Sequence, residues 1–244
     1  MEKITITNTR NLSLAGYHYK NGEKLVILVH GYASEKTTKG RYTDLAIALT
    51  KKDFSVLAFD FAGCGESDDD DITVAKQVDD LQTIVNFAKK LDYKEIAVVG
   101  HSLGGLVSAQ VHDPVIKTMV WWAPVTAAKS NALDNFDEKQ VKEYEDTGKI
   151  TKNTVSGNRK QVITDGIFVK ERESIDQHAL ISSVKIPVLI IHGDADEMVP
   201  LQDSLDASLF ENISLEIIPG ADHRMNPHLE KTINYTVEWI EQHL

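Results

Sequence analysis

One short segment carries a residue pattern suited to nucleophilic catalysis. In Gly100–Gly104, with the sequence GHSLG, a serine is flanked by glycines two positions before and two positions after it. This spacing is typical of a serine on a tight turn between a strand and a helix, because glycine lets the neighbouring backbone pass without a Cβ clash. The start of the helix would direct N–H groups towards an anion. The pattern predicts Ser102 as a nucleophile, with an idle serine in a glycine-rich turn as the alternative.

A base and an orienting acid are available later in the chain. His223 follows the candidate strand Leu215–Ile218, and the aspartates Asp194 and Asp196 follow the candidate strand Val188–Ile191. In a parallel sheet the carboxyl ends of such strands lie at the edge where ligands bind. The order serine, aspartate, histidine matches one known order of the Ser-His-Asp triad. A lone histidine on a loop is usually a surface residue, so the prediction depends on all three groups together.

Stabilisation of an oxyanion and contacts to the substrate are predicted for a few further residues. Tyr32 follows the strand Leu25–His30, so its backbone N–H could join that of Leu103 as an oxyanion hole. The His30 side chain is expected to pack and fix this loop. Trp121 and Trp122 end a later strand; one could wall the acyl pocket and the sequence does not decide which. Of the residues above, Trp122 and Tyr32 are the ones that we predict to contact the substrate.

The elements that would position these residues alternate between apolar runs and helical patterns, which predicts an α/β fold with a mostly parallel sheet covered on both faces. The other predicted strands are Ile4–Thr7, Leu12–Tyr19, Val56–Phe59, Ile96–Val99 and Met119–Trp122. Helical spacing is clearest over Thr73–Leu91 and in the last segment, and a further helical segment is predicted over Leu106–Val111. The chain is expected to form a single domain over residues 1–244.

A polar, charged stretch over about 126–185 interrupts this alternation and predicts a small cap inserted above the sheet. Within it, Lys149–Val155 and Arg159–Ile163 could form a hairpin. The stretch shows no evident aromatic cluster, which weighs against a pocket that grips a phenolic ring. The acidic run Asp68–Asp71 predicts a solvated turn that caps the helix starting near Thr73.

Composition limits the classes of function. The chain has 244 residues and a formal net charge of -11, which disfavours binding to nucleic acid or to an anionic membrane surface. There is one cysteine, and neither a signal peptide nor a membrane-spanning run is evident, so a cytoplasmic protein is expected. The expected partner is a small-molecule ester. The oligomeric state stays open, with a homodimer among the alternatives.

Four rival interpretations are weaker: a dinucleotide site, Cys64 as nucleophile, a zinc site and a non-catalytic binding protein. A dinucleotide site around Gly63–Asp68 lacks the third glycine and adjoins an acidic run. No motif places a base beside Cys64, and no histidine pair has zinc spacing, so we expect neither a cofactor nor a metal. A non-catalytic binding protein is the alternative of another class, which an intact set of triad candidates disfavours.

The sequence resembles the α/β-hydrolase superfamily, in particular small bacterial cinnamoyl (feruloyl) esterases and the monoacylglycerol-lipase-like group, also labelled serine aminopeptidase-like. The segments that carry the resemblance are His30–Tyr32, Asp60–Ser67, Gly100–Gly105, His192–Pro200 and Gly220–His223. The resemblance places the acid three residues after Gly193 and so implies Asp196. It also implies a substrate-shaping cap and a serine carboxylesterase acting on short- to medium-chain or aryl esters, with feruloyl esterase or monoacylglycerol lipase as alternatives.

Overall fold

Ten strands form two sheets in the computed structural model, which describes residues 1–128, 132–154 and 159–244. The strands are β1 (Glu2–Thr7), β2 (Ser13–Tyr19), β3 (Leu25–Val29), β4 (Ser55–Phe59), β5 (Ile96–His101), β6 (Ile116–Trp122), β7 (Lys149–Asn153), β8 (Gln161–Asp165), β9 (Val188–Gly193) and β10 (Ile213–Ile218). Eight of them form the main sheet in the order β1-β2-β4-β3-β5-β6-β9-β10. Within this sheet only β2 runs opposite to the other strands, being antiparallel to both β1 and β4, which confirms the predicted mostly parallel sheet.

Helices cover both faces of the main sheet. They are α1 (Arg41–Thr50), α2 (Val74–Lys90), α3 (Leu103–Ala109), α4 (Glu138–Thr147), α5 (Ile167–Glu173), α6 (Gln177–Ser183), α7 (Leu201–Ala207) and α8 (Leu229–His243). The strands β3 and β4 are buried at every position, because apolar side chains on both faces pack under helices. One core layer lies under α2 and α3, and the other lies under α1 and α8. In the described part of the chain, no helix is both long and apolar enough to span a membrane.

Two element boundaries near the predicted nucleophile differ from expectation. Strand β5 continues to His101 instead of ending at Val99, and α3 begins at Leu103 instead of Leu106. Ser102 is therefore the single residue between strand and helix. The predicted hairpin forms as the antiparallel pair β7 and β8, in which Lys149 lies opposite Asp165 and Asn153 lies opposite Gln161. Its expected tip at 156–158 lies outside the described residues.

The cap, defined here as residues 132–154 and 159–183, is attached to the start of α2. Ile72 bridges to Thr164 of β8, and its N–H donates to the Ile163 carbonyl at 2.8 Å. The Glu171 carboxylate of α5 accepts hydrogen bonds from the N–H groups of Val74 (2.6 Å) and Ala75 (3.0 Å). The cap therefore supplies acceptors that the first turn of α2 lacks.

The acidic run Asp68–Asp71 has a different role from the one predicted. The side chain that caps α2 is Thr73, whose hydroxyl accepts from the Lys76 N–H at 3.1 Å. The aspartates instead form ion pairs: Asp69 with Arg159, Asp70 with Arg10 and Lys76, and Asp71 with Lys149. Asp68 and Asp69 are exposed, as a solvated turn requires, but basic residues brought close by the fold, two of them in the cap, pair with Asp69, Asp70 and Asp71.

Candidate active site

Ser102 occupies a strained turn at the carboxyl end of β5. Its backbone has φ 55° and ψ −119°, a conformation that a residue with a side chain rarely adopts. The Ser102 N–H donates to the Trp122 carbonyl at 2.9 Å, and the Ser102 carbonyl accepts from the N–H groups of Gly105 (3.0 Å) and Val125 (3.1 Å). These bonds hold the strained residue in place.

The flanking glycines are required by close backbone contacts. A Cβ atom on Gly100 would lie 2.5 Å from the Gly104 carbonyl oxygen, and one on Gly104 would lie 2.3 Å from the Val29 carbonyl oxygen. Both distances are well inside van der Waals contact. The glycine spacing that marks this segment in the sequence is therefore required by the steric limits of the turn.

Asp196 is the most extensively bonded side chain of the site. Its Oδ2 accepts from Nδ1 of His223 at 2.8 Å and from Nε2 of His192 at 3.1 Å, while Oδ1 accepts from the N–H groups of Met198 (2.7 Å) and Val199 (2.9 Å). Burial by itself would raise the pKa of this carboxyl, but the hydrogen bonds outweigh it and lower the pKa well below its usual range. Asp196 is therefore ionised.

Asp194 is in contact with a different part of the loop. Its Oδ1 accepts from the Gly220 N–H at 2.6 Å, and the residue is exposed. This bond ties the loop after β9 to the loop after β10. Of the two aspartates, only Asp196 contacts His223.

His192 is a site residue that the sequence analysis did not single out. It is fully buried at the end of β9; its Nε2 donates to Asp196 and lies 3.2 Å from the Val199 carbonyl oxygen, and its Nδ1 accepts from the Ser204 hydroxyl at 2.7 Å. Because both partners of Nε2 are acceptors, Nε2 carries the hydrogen. Its place at a strand end, four residues before Asp196, was the available signal.

His223 is held from two sides. Nδ1 donates to Asp196, and the His223 carbonyl accepts from Nε2 of His101 at 2.8 Å. Burial lowers the pKa of His101 to about 3, and the neighbouring His223 adds to this effect. His101 is thus neutral and links the turn that carries Ser102 to the loop that carries His223. Among the described residues, Nε2 of His223 has no hydrogen-bond partner.

The two backbone groups predicted as an oxyanion hole lie beside Ser102. Leu103 is the first residue of α3, so its N–H has no acceptor within the helix. A Cβ on Gly31, just before Tyr32, would lie 3.2 Å from Cβ of Ser102. His30 fixes this loop: its Nδ1 donates to the Gly31 carbonyl at 2.8 Å, and burial lowers the pKa of the ring.

Ser102, Asp196 and His223 line one cavity of about 420 Å³. Its cap side is formed by Phe136, Lys152, Phe168 and Arg172, and its sheet side includes Tyr32 and Leu103. The cavity size is within the range of small-molecule sites.

Three aromatic rings form a cluster in this cavity, contrary to the sequence-based expectation. Tyr32 stacks on Phe168 with ring centroids 5.2 Å apart, and Phe136 meets Tyr32 edge-on at 6.1 Å. The Tyr32 hydroxyl lies 2.7 Å from that of Thr164 in β8, and burial raises the pKa of Tyr32 to about 12. The rings are far apart in sequence, and only the folding of the cap over the sheet brings them together.

Trp122 does not line the cavity, and its prediction as a substrate-binding residue is wrong in this structure. The ring is buried on the other side of the sheet, where Nε1 donates to the Thr236 hydroxyl of α8 at 2.9 Å. Trp121 is also fully buried in the core and absent from the cavity wall. Adjacent strand residues point to opposite faces, and here both faces are covered by helices.

The rival sites are occupied by structural contacts. The Asp60 carboxylate fills the Gly63–Asp68 loop: a Cβ on Gly65 would lie 2.2 Å from Asp60 Cγ, and Asp60 pairs with Lys36 at 2.7 Å. Cys64 is buried, which raises the pKa of its thiol. Within the described ranges, no group of three histidine, cysteine or acidic side chains is arranged to hold a metal ion.

Comparison with known proteins assigns the chain to a family. Residues 20–162 match the family model described as serine aminopeptidase, S33. The chain is 26% identical to rat monoglyceride lipase over 248 residues, covering 88% of this chain and 80% of that protein. It is 25% identical to the mouse serine hydrolase BPHL over 240 residues, covering 91% and 81%. The solved structure of Est1E from Butyrivibrio proteoclasticus with ferulic acid superposes with a TM-score of 0.78 at 26% identity, covering 98% of both chains. The chain therefore belongs to the serine aminopeptidase (S33) family and is an α/β hydrolase of the esterase and lipase type.

Proposed function

We propose that this chain is a serine carboxylesterase that hydrolyses short- to medium-chain or aryl esters through an acyl-enzyme. The observation that carries the proposal is the 2.8 Å hydrogen bond between Asp196 and His223 in the cavity that Ser102 lines from its strained turn. Such a set of groups has the composition and order of a Ser-His-Asp triad.

In the proposed reaction, the Ser102 hydroxyl attacks the ester carbonyl while Nε2 of His223 takes its proton. Asp196 holds the imidazole tautomer with hydrogen on Nδ1 and stabilises the imidazolium that forms. The tetrahedral intermediate collapses as the C–O bond breaks, and the His223 proton passes to the leaving alcohol. Water, activated by His223, then cleaves the acyl-enzyme and restores the serine hydroxyl.

The negative charge of each tetrahedral intermediate would be stabilised by the N–H groups of Leu103 and Tyr32. Donors of this kind contribute roughly 3–4 kcal/mol each in comparable sites. The neutral, buried His101 holds the backbone of His223 and would keep the base in register with the nucleophile.

A feruloyl or cinnamoyl esterase is a second candidate within the same chemistry. The observation that favours it is the aromatic cluster of Tyr32, Phe136 and Phe168, which offers ring faces and edges to an aryl acyl group. The Est1E structure, which contains ferulic acid, is a relative at 26% identity. Comparison of a feruloyl ester with an aliphatic ester of equal length would distinguish the two.

The test is hydrolysis of 4-nitrophenyl esters by the wild-type protein and by Ser102→Ala. We expect Ser102→Ala to lose about 10⁴-fold or more of kcat while remaining folded by circular dichroism. A fluorophosphonate should add to Ser102 in the wild-type protein, as located by peptide mass spectrometry, and activity should survive chelation with EDTA. Comparable turnover by a folded Ser102→Ala protein would contradict the proposed nucleophile. Absence of both turnover and labelling would favour a non-catalytic binding protein.

A further inference from the structure

A buried arginine on the cap side of the cavity forms no ion pair with a described residue. Arg172 of α5 is 9% exposed, its side chain forms no ion pair or hydrogen bond with any described residue, and its Nη1 is buried without an acceptor. Burying a guanidinium without an ion pair is costly, so an anion that paired with Arg172 would offset this cost. Burial lowers the pKa of Arg172 to about 10, which still leaves it charged at neutral pH.

A second cation lines the same cavity. Nζ of Lys152 in β7 lies 4.8 Å from the centre of the Tyr32 ring, and Lys152 forms no ion pair in the described part of the chain. Burial lowers the pKa of this lysine, and Arg224 adds to the effect. An approaching anion would therefore stabilise the charged form of Lys152 as well.

None of the three acidic side chains that line the described cavity forms an ion pair with Arg172 or Lys152. Asp196 is committed to four hydrogen bonds, and Glu197 is exposed. Asp203 lies close enough for attraction to Arg172 without forming an ion pair, and burial raises the pKa of its carboxyl. The lining holds two cations and three acidic side chains, so a monoanionic carboxylate would be repelled less there than a dianionic phosphate.

Arg172 lies on the same wall of the cavity as the aromatic rings. Phe168 and Arg172 are four residues apart on α5, so both project from one helix face about 6 Å apart, and both line the cavity. Phe168 also stacks on Tyr32, the residue beside the candidate nucleophile. A substrate lying along this wall would place an apolar stretch against the rings and its far end at Arg172.

We propose that the substrates are esters carrying a carboxylate on the acyl chain, which Arg172 binds with support from Lys152. This inference rests on the proposed esterase function. A guanidinium suits this task because its N–H groups can pair with both carboxylate oxygens at once.

The test compares 4-nitrophenyl hemiadipate with two neutral esters, 4-nitrophenyl hexanoate and 4-nitrophenyl methyl adipate. We expect the wild-type protein to show a higher kcat/KM for the hemiadipate, and Arg172→Gln to reduce this preference on the order of tenfold to a hundredfold. A carboxylate on the leaving group, in 3-carboxy-4-nitrophenyl acetate, tests the other end of the ester. A preference for that ester and not for the hemiadipate would contradict the acyl assignment.

Two further variants separate recognition of charge from a structural role. Asp203→Asn removes the carboxylate that competes for Arg172 and should raise the preference for the hemiadipate, which a loss of stability would not do. Lys170→Gln removes an equal charge from the exposed face of α5 and should leave the preference unchanged. If Arg172→Gln does not fold, Arg172→Lys should show a smaller loss of preference, because lysine cannot bond both oxygens in the same way.

A Ser102-dependent esterase that hydrolyses hemiadipate and hexanoate esters equally, or that keeps its preference in Arg172→Gln, would overturn the inference while leaving the esterase proposal intact. If no ester is hydrolysed, the esterase proposal fails. Calorimetric titration with the same uncleaved esters then tests whether Arg172 forms an anion-binding site. Tighter binding of the hemiadipate, lost in Arg172→Gln, would support the site, and equal binding of the charged and neutral esters would overturn it.

Discussion

At the scale of single residues, Asp194 and Asp196 are only two positions apart but have different hydrogen-bond partners. Asp196 accepts from His223 and His192, whereas Asp194 accepts from the Gly220 backbone. An asparagine at 196 would present an amide to His223 and favour the wrong imidazole tautomer. An asparagine at 194 keeps an oxygen that can accept the Gly220 N–H.

We therefore predict that Asp196→Asn lowers kcat on the order of 10³- to 10⁴-fold, while Asp194→Asn changes it by less than about tenfold. Steady-state hydrolysis of one 4-nitrophenyl ester by both purified variants measures the difference. Equal losses in the two variants, or a larger loss in Asp194→Asn, would show that the acid has been assigned to the wrong residue.

His101 connects the site to the pH dependence of stability. Its pKa falls from 6.5 to about 3 on folding, so between these values the unfolded chain binds a proton that the folded chain does not. Its contribution to stability is fully present above pH 6.5 and is lost as the pH falls towards 3. The buried rings of His30 and His18 act in the same direction.

His101→Asn should therefore flatten the rise of unfolding free energy with pH, by up to about 1.4 kcal/mol per pH unit near pH 5. Urea unfolding at a series of pH values measures this slope. The matched control is His112→Asn, at an exposed histidine. This variant should keep the wild-type slope of unfolding free energy against pH. A wild-type slope in His101→Asn would mean that this ring is not the group responsible.

The sequence predicted the site residues whose positions follow from local chain geometry. Ser102 is predicted because its turn requires glycines on both sides. The strand ends predict His223 and both Asp194 and Asp196, and only the resemblance to the α/β hydrolases selects Asp196. Arg172 and the aromatic rings could not be found in this way, since their proximity depends on how the cap folds over the sheet. Trp122 was misjudged because a strand-end aromatic residue looks the same in sequence whether it faces a cavity or a helix.

At the scale of elements, the cap depends on the start of α2 for its position. The Glu171 carboxylate bonds the N–H groups of Val74 and Ala75, and these contacts lie on the same helix, α5, that carries Phe168 and Arg172. Loss of this carboxylate would leave two N–H groups of α2 without a charged acceptor.

We predict that Glu171→Ala lowers the free energy of unfolding by about 1–2 kcal/mol and raises KM more than it lowers kcat. Urea unfolding and ester kinetics provide the two measurements. Glu145→Ala, on the exposed face of α4, removes the same charge within the cap and should change neither quantity. An effect on kcat alone would place Glu171 in the chemistry and not in the attachment of the cap.

Elements of the main sheet were easier to predict than helices and cap elements. Each of β3, β4 and β5 is a run of buried residues, and such runs stand out in sequence. The helix α7 buries only Ser204 and Ala207 and lacks a long apolar stripe, so its sequence does not predict a helix. The helix α1 does bury residues at helical spacing, Tyr42, Leu45, Ala46 and Leu49, and is an element that the sequence analysis missed. The helix α4 buries no residue fully, so hydrophobic periodicity alone does not define it.

At the scale of the whole molecule, the proposed site is a partly open cavity and not a broad apolar surface. The cavity holds about 420 Å³, and much of its cap side is charged or aromatic. Long acyl chains would have to displace well-packed rings, which is costly in a rigid wall. An oil–water interface would require a wide apolar patch, and α4 presents mainly charged residues.

In a 4-nitrophenyl series from acetate to palmitate, we therefore expect the highest kcat/KM among short and medium chains and a loss of about tenfold or more at palmitate. An emulsified triglyceride should give no activation at its interface. A maximum at palmitate together with interfacial activation would identify a lipase instead.

The two ends of the cap leave and rejoin the main sheet side by side. The chain exits β6 after Trp122 and returns in β9 at Val188, and β6 and β9 are paired neighbours, with Trp122 opposite Ile191. Closing a loop between adjacent strands costs little more when the loop is longer. An insert of different length or sequence can therefore replace the cap without changing the strand order. The proposed catalytic residues Ser102, Asp196 and His223 all lie outside this segment, so exchange of one continuous segment would change the cap side of the cavity and leave them in place.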